Sequence, residues 1–342
     1  MPHYKLALLG FGNVGQSLAA LLNDKQDELK SKYDLTFSIT GIATGKHGAA
    51  LNPQGLDIDL ALDVIRAGNS LEPLSVQEPP ANAFDFILRS GADVLFENTP
   101  VDYECGQPAV DHLKQALDLG MHAITANKGP VVHAYHQLTE IAAAKDRKFF
   151  FESTVMDGAP IFSLFRTALP GAQLHAFNGI LNSTTNLILT RMEGGEDFDQ
   201  AVAYAQKIGI AETDPSGDID GWDAAVKVAA LVTVLMGVPL KPDEVERIGI
   251  RGIQSRDIQR AQEQGQRWKL VCYAVRESDG VKASVAPQMV PPTSPLFQIA
   301  GTTSIVQFET DVLGSLSVIE TDPGPHTTAY GLLADFLNAV VH

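Results

Sequence analysis

Apolar residues near the start of the chain come in short runs. Tyr4 to Leu9 is one such run, ending at a glycine, and Gln16 to Leu22 follows with apolar positions at helical spacing, so the opening predicts strand, tight turn, helix. Further β-rich apolar runs at Leu35–Ala43, Asp93–Glu97, Met121–Thr125 and Phe149–Glu152 predict four more strands, with helices at Val110–Leu119 and Ala134–Lys145 between them. Strands alternating with helices imply a parallel sheet covered on both faces. Residues 51–83 are broken by Asn52-Pro53, Gly68-Asn69-Ser70 and Glu78-Pro79-Pro80, and only a short helix at Ile58–Ala67 is predicted there. After Phe151 longer helical patterns take over. A Pro-rich stretch at Pro287–Pro295 reads as a crossing between units, and Thr328 to Val341 predicts a final amphipathic helix. Neither an internal repeat nor a low-complexity segment is present.

The 342 residues suit two domains at roughly 150 residues each. A formal charge of −16 repels phosphate backbones and anionic lipid, which argues against nucleic-acid and membrane-surface roles and leaves small polar metabolites. Two cysteines, Cys105 and Cys272, cannot make a disulfide framework, and a strand-like run begins at Tyr4 where a signal peptide would lie, so a cytoplasmic location is expected. The longest apolar stretch, Ala224–Val238, has 15 residues and contains Lys227; it is too short to span a bilayer and predicts a buried helix.

Between the first strand and helix stands Gly10-Phe11-Gly12-Asn13-Val14-Gly15, a G-x-G-x-x-G. The first glycine permits the turn, the second lets a pyrophosphate approach the backbone, and the third lets helix and strand pack closely. Alone the pattern is common; between a strand and a helix it points to a bound dinucleotide. The second strand ends in Thr44-Gly45-Lys46-His47 with no carboxylate to meet a ribose hydroxyl. Thr44 and Lys46 suit a 2′-phosphate, so NADP is expected before NAD, unless Lys46 and His47 merely decorate a solvated loop. Asn98-Thr99-Pro100 and Ala126-Asn127-Lys128 follow the third and fourth strands, at the carboxyl ends where open α/β sheets hold ligands. Lys128 there can hold the cofactor or a substrate carboxylate, or sit exposed beside a helix start.

The densest stretch runs from Glu212 to Lys227, with five carboxylates inside twelve residues: Glu212, Asp214, Asp218, Asp220 and Asp223. Lys227 follows as the one charged side chain between Asp223 and Val238. On a largely apolar helix it would be partly desolvated, with its pKa lowered toward the range useful for proton transfer, and Asp223 lies four residues earlier on the same face. A buried structural ion pair would explain the same residues. Asn182-Ser183-Thr184-Thr185-Asn186 can hydrogen-bond a small polar substrate or simply cap a helix beginning near Thr185. His133 and His136 lack a third metal ligand and read as an exposed face, and Cys105, flanked by Asp102 and Glu104, reads as an inert thiol.

Over nearly its whole length the chain resembles the homoserine dehydrogenases. The likeness is carried by Gly10–Gly15, Ala126-Asn127-Lys128, Phe151-Glu152-Ser153-Thr154-Val155 with Gly158 and Pro160, Gly179 to Asn186, Glu212 to Lys227, and the tail Pro323-Gly324-Pro325-His326. The resemblance implies a Rossmann-type doubly wound parallel sheet over residues 1–150, completed by a C-terminal helix in 322–342. An inserted α+β substrate-binding and dimerisation domain over 151–321 would interrupt it. It implies reversible NAD(P)-dependent reduction of L-aspartate 4-semialdehyde to L-homoserine, on the route to threonine and methionine. Lys227 would be the general acid/base and Lys128 a second functional lysine. Glu212, Asp218, Asp223, Asn182, Ser183 and Thr184 would meet the substrate. Gly10, Phe11, Gly12, Asn13, Val14, Gly15, Thr44, Lys46, Thr99, Lys128 and Gly324 would meet the cofactor. A sodium ion would be held by Glu152 and backbone oxygens of Val155, Asp157 and Ala159, although Met156-Asp157 stand where the family often has glycines. A homodimer pairing through residues around 151–160 and 290–320 is implied, and no C-terminal regulatory domain is expected. Two rival readings are an aspartate-semialdehyde dehydrogenase working through a cysteine thiolate, and a dinucleotide-binding sensor without turnover.

Overall fold

The structure, a computed structural model, describes residues 1–341 and divides into two compact units, Met1–Pro160 with the segment from Gly324, and Ile161–Pro323. His342, the last residue of the expected C-terminal segment, lies outside the described residues.

The first unit starts with β1 (His3–Leu9), α1 (Asn13–Asp24), α2 (Gln26–Tyr33), β2 (Thr36–Ala43), β3 (Ala49–Leu51), α3 (Ile58–Arg66) and α4 (Ala83–Ser90). It continues through β4 (Val94–Glu97), α5 (Ala109–Asp118), β5 (His122–Thr125), α6 (Lys128–Ala144) and β6 (Phe149–Phe150). The sheet order is β3-β2-β1-β4-β5-β6, parallel apart from the β2–β3 pair, which is the doubly wound arrangement. Alternation along β1 fills both faces. Leu6 and Leu8 join Leu18 and Leu22 of α1, with Leu332 and Phe336 of the chain's last helix, while Ala7 and Leu9 join Phe86, Ile87 and Leu95 on the opposite side. Each fully buried leucine or phenylalanine contributes about 1.5–3 kcal/mol to holding these layers.

Of the second unit, β7 (Leu174–Ile180), α7 (Ser183–Glu193), α8 (Phe198–Lys207), the one-turn α9 (Ser216–Ile219) and α10 (Trp222–Leu231) come first. They are followed by β8 (Glu246–Arg247), α11 (Ser255–Glu263), β9 (Arg267–Glu277), β10 (Gly280–Val290), β11 (Ser304–Thr310) and β12 (Gly314–Glu320). Its sheet runs β12-β11-β7-β9-β10-β8, antiparallel except where β8 joins β10. Helix α10 lies on β9 and β10, where alanines 224, 225, 229 and 230 leave room for a close approach. The chain then returns to the first unit as α12 (Pro325–Val340). There Gly331 sits so near Ser153 that an added Cβ would lie 2.2 Å from its hydroxyl oxygen, and the Asp335 carboxylate accepts the Glu152 N–H at 2.7 Å.

Several expectations from the sequence shift. The run at Phe149–Glu152 pairs only through Phe150 before a tight turn over Glu152–Thr154. Helix α6 begins at Lys128 rather than Ala134, because a break in backbone dihedrals at Ala134 separates its first turns from the regular part. The Pro287–Pro295 stretch is no crossing between units: it lies inside the second unit, and Pro287 belongs to β10. That proline stands beyond the short β8 pairing at Ser284 and Val285, where a missing N–H removes nothing from the sheet. No described helix is long and apolar enough to cross a membrane.

Candidate active site

In the first unit the carboxyl ends of β1, β2 and β4 align, with Leu9 opposite Ala43 on one side and Glu97 on the other. Strand order reverses between β1 and β4, the place where open α/β sheets leave a crevice for ligand. The three glycines answer to three separate needs. Gly10 has φ +97°, and a Cβ there would lie 2.3 Å from the Asn98 carbonyl oxygen, so only glycine fits. At Gly15 a Cβ would lie 2.4 Å from the Gly10 carbonyl oxygen. Around Gly12 nothing comes within 4 Å of such a Cβ, and no side chain caps the N–H groups that open α1. An open backbone approach at uncapped N–H groups is what a pyrophosphate needs. Phe11 is a core side chain, so only its backbone belongs to this turn.

A cavity of about 370 Å³ opens beside the turn, lined by Gly10, Thr44, Gly45, Glu72, Thr99 and His112 among others. Both amide atoms of Asn98, whose carbonyl stands against Gly10, are buried without a hydrogen-bond partner among the described residues. Below, Glu97 is fully buried and organises the loop ends. It accepts from the Thr99 hydroxyl, from the Thr99 N–H at 3.3 Å and from Thr125 at 3.4 Å, and His112 Nδ1 stands 3.4 Å away. Asn127 caps α6 through Gly129 and donates to the carbonyls of Thr99 (3.1 Å) and Pro100 (3.3 Å), which fixes Lys128 as the next residue on a rigid helix start. Thr44 lines the cavity and accepts from the N–H groups of Lys46 (3.2 Å) and His47 (2.6 Å); Lys46 is exposed and is not part of the wall.

The loop from Glu152 to Ala159 lies in the same unit. Glu152 is buried, and the Asp157 carboxylate is occupied by the Gly324 N–H (2.7 Å) and the Thr327 hydroxyl (2.9 Å), clamping the start of α12. Gly324 thus holds this loop through its backbone.

In the second unit the expected acidic cluster and lysine come together. Asp223 lies in the first turn of α10 and Lys227 one turn later, and the Lys227 ammonium stands 2.9 Å from the Asp223 carboxylate and donates to the Leu181 carbonyl at 2.6 Å. Their side chains are 15% and 13% exposed, so the pair is set among apolar residues yet still accessible. Asn182 Nδ2 donates to Asp218 at 2.6 Å and to Asp223 at 3.0 Å. Its Oδ1 accepts from the Thr185 N–H and hydroxyl, each at 2.8 Å, capping α7. With both amide protons and both oxygen lone pairs engaged, Asn182 holds the two carboxylates together and caps the helix at once. Ser183 stands 3.4 Å from Ser304, Thr184 donates to the Ile210 carbonyl, and Asn186 turns away to accept from the buried Lys269 at 3.0 Å. Glu212 is exposed, and its carboxylate makes no hydrogen bond or ion pair among the described residues.

Burial, and then the nearby Asp223, raise the pKa of Asp218, against the opposing effect of Asn182, Thr184 and Lys227. A raised native pKa means that ionised Asp218 costs stability as pH rises through it, a cost absent in acid where native and unfolded forms are both protonated. Asp218→Asn is therefore expected to melt at higher temperature than the parent at neutral pH, the gap closing below the ordinary carboxylate range, while activity falls. Melting curves across pH, with turnover alongside, check it.

Neither cysteine is poised as a nucleophile. Burial pushes the Cys272 thiol up to about 12, and the exposed Cys105 donates its thiol to the Asp102 carboxylate. Among the described residues no group of three or more His, Cys, Asp or Glu side chains could hold a metal ion; His136 is exposed, whereas His133 is half-buried with its Nε2 3.0 Å from the Tyr103 carbonyl.

Residues 10–152 match the family model for the homoserine dehydrogenase NAD-binding domain, and residues 160–337 match that for homoserine dehydrogenase. The chain is 35% identical over 342 residues to the NAD(+)-dependent homoserine dehydrogenase of Pseudomonas canavaninivorans, covering 99% of this chain and 96% of that one. It is also 35% identical to the homoserine dehydrogenase of Methanocaldococcus jannaschii, covering 97% of each. Among solved structures, the homoserine dehydrogenase of Thiobacillus denitrificans superposes with a TM-score of 0.83 at 28% identity, over 98% of this chain and 73% of that one. A glycine turn with an open approach to uncapped N–H groups, a lysine paired with a carboxylate on an apolar helix, and matches along almost the entire length leave one conclusion: the chain belongs to the homoserine dehydrogenase family, oxidoreductases that act on a CH–OH group with a nicotinamide dinucleotide.

Proposed function

We propose that Lys227 is the proton donor and acceptor of the interconversion of L-aspartate 4-semialdehyde and L-homoserine. The observation that carries this reading is its ammonium, 2.9 Å from Asp223 on an otherwise apolar helix. A bound reduced nicotinamide supplies the hydride. Negative charge growing on the carbonyl oxygen needs a nearby cation and a proton, and an ammonium on a rigid helix offers both without reorganisation. In the oxidative direction Lys227 takes the hydroxyl proton back.

Asp218 and Asp223, with one lysine paired to Asp223, leave a net negative site that suits the substrate's own ammonium, and the exposed Glu212 adds to it. Ser183 and Thr184 present hydroxyls and backbone N–H groups at the start of α7 for the substrate's polar end. Lys128 acts in the first unit on the cofactor or the substrate carboxylate, and Asn98 and Thr99 meet the nicotinamide end of the dinucleotide. Sodium fits the chemistry of the 152–159 loop: one buried carboxylate, Glu152, with the carbonyls of Val155, Asp157 and Ala159, the Asp157 carboxylate being occupied elsewhere. A cytoplasmic homodimer is the assembly proposed, pairing in part through the β11–β12 hairpin, where Val312, Leu313 and Ile319 are exposed apolar side chains.

The test is a nicotinamide absorbance assay with homoserine and the oxidised cofactor, and with aspartate semialdehyde and the reduced one. Turnover in both directions without added phosphate is expected. A strict phosphate requirement would favour the thiolate rival, and cofactor binding with no turnover of either substrate would favour the sensor.

A further inference from the structure

We infer that Glu72 reads the ribose of the bound dinucleotide and that this chain selects NAD over NADP. The inference rests on the first unit being the dinucleotide domain and reverses the preference suggested by Thr44 and Lys46. The end of β2 lacks the usual carboxylate, but the fold brings one there from a distant turn. The buried Leu71 donates its N–H to the His47 carbonyl at 2.8 Å, and the His47 ring meets the Asn69 carbonyl at 3.0 Å, so the 69–72 segment is pinned to the 44–48 turn. The Ser70 hydroxyl accepts the Glu72 N–H at 3.2 Å, fixing the backbone from which the side chain springs. That side chain lies over Gly48: a Cβ built on this glycine would be 3.1 Å from Glu72 Oε1 and 3.2 Å from its Cγ.

Glu72 is the one Asp, Glu, Lys or Arg in the cavity wall. Its carboxylate makes no hydrogen bond or ion pair among the described residues, so its acceptors remain available. The cations nearby do not compensate it: Lys46 stays off the wall, and the His47 ring is engaged by Asn69. A ribose 2′-hydroxyl donates to such a carboxylate, whereas a 2′-phosphate would bring like charge against it with no arginine or lysine in the wall to accept it.

Binding titrations of the full chain with NADH and NADPH, followed by nicotinamide fluorescence, test this without any substrate. A mistaken substrate assignment would leave them unaffected. The wild type is expected to bind NADH about tenfold or more tighter than NADPH. Glu72→Gln should weaken NADH about tenfold with NADPH unchanged or improved, Glu72→Lys should invert the preference, and Lys46→Ala should leave NADH binding as it was. Tighter NADPH binding by the wild type overturns the inference, as does an unchanged NADH-to-NADPH ratio in Glu72→Gln.

Discussion

Lys227→Ala is expected to lower turnover by about a thousandfold or more in both directions, with NADH affinity nearly intact. The size follows from the two roles the ammonium fills, stabilising the forming alkoxide and supplying its proton, neither of which alanine or a water in its place reproduces. Lys227→Arg keeps the charge, but a guanidinium does not give up its proton in proteins, so it should recover only part of the loss. The competing explanation is that Lys227 merely neutralises Asp223. Breaking a buried pair from one side can cost about 3–5 kcal/mol of stability, so Lys227→Met must be compared on protein shown to be folded. The double variant Lys227→Met with Asp223→Asn removes the charge imbalance. A purely structural pair predicts that activity returns with stability; the catalytic role predicts that stability returns and activity does not. Full activity in any folded variant lacking Lys227 would remove it from the mechanism.

Where the chain carries a strong local signal, the sequence was enough. Leu6 to Leu9 alternates between two cores, and Gly10, Gly12 and Gly15 each meet a steric or access demand stated by their spacing. Asp223 and Lys227 pair because four residues on a helix is one turn. Signals that depend on distant partners were not legible. Helix α4 hides behind Pro79-Pro80 and is started by Asn82, whose side chain caps Asp85, a short-range cue in a stretch otherwise read as loop. Helix α2 is nearly all polar and is held by Leu29 and the Glu28 pairs with Lys25 and Lys32 rather than by an apolar stripe. Glu72 was invisible because its approach to the end of β2 depends on Leu71 and His47, which no periodicity connects. For Asn182 the residues offered two roles, substrate or cap, and the fold adds a third, since only the tertiary arrangement places Asp218 and Asp223 on either side of its amide.

That third role makes Asn182→Asp the most informative change after Lys227. Aspartate is an equally good helix cap, so the bond from the Thr185 N–H is preserved and α7 keeps its start. What changes is the other end of the side chain, where an NH₂ donating to two carboxylates becomes an oxygen facing them. Three carboxylates would then share one ammonium, and each becomes harder to ionise. Turnover is expected to fall by about a hundredfold and the KM for homoserine to rise, with NADH affinity unchanged. The sharper signature is in pH dependence: if the reaction needs Asp218 and Asp223 ionised, the acidic limb of kcat/KM moves to higher pH in the variant. Asn182→Ser retains a cap without adding charge and should lose activity while leaving that limb closer to its original position. A side chain that only capped the helix would leave the limb unmoved in both variants, so a pH profile of Asn182→Asp superimposable on the parent would exclude Asn182 as the residue that positions the acids around Lys227.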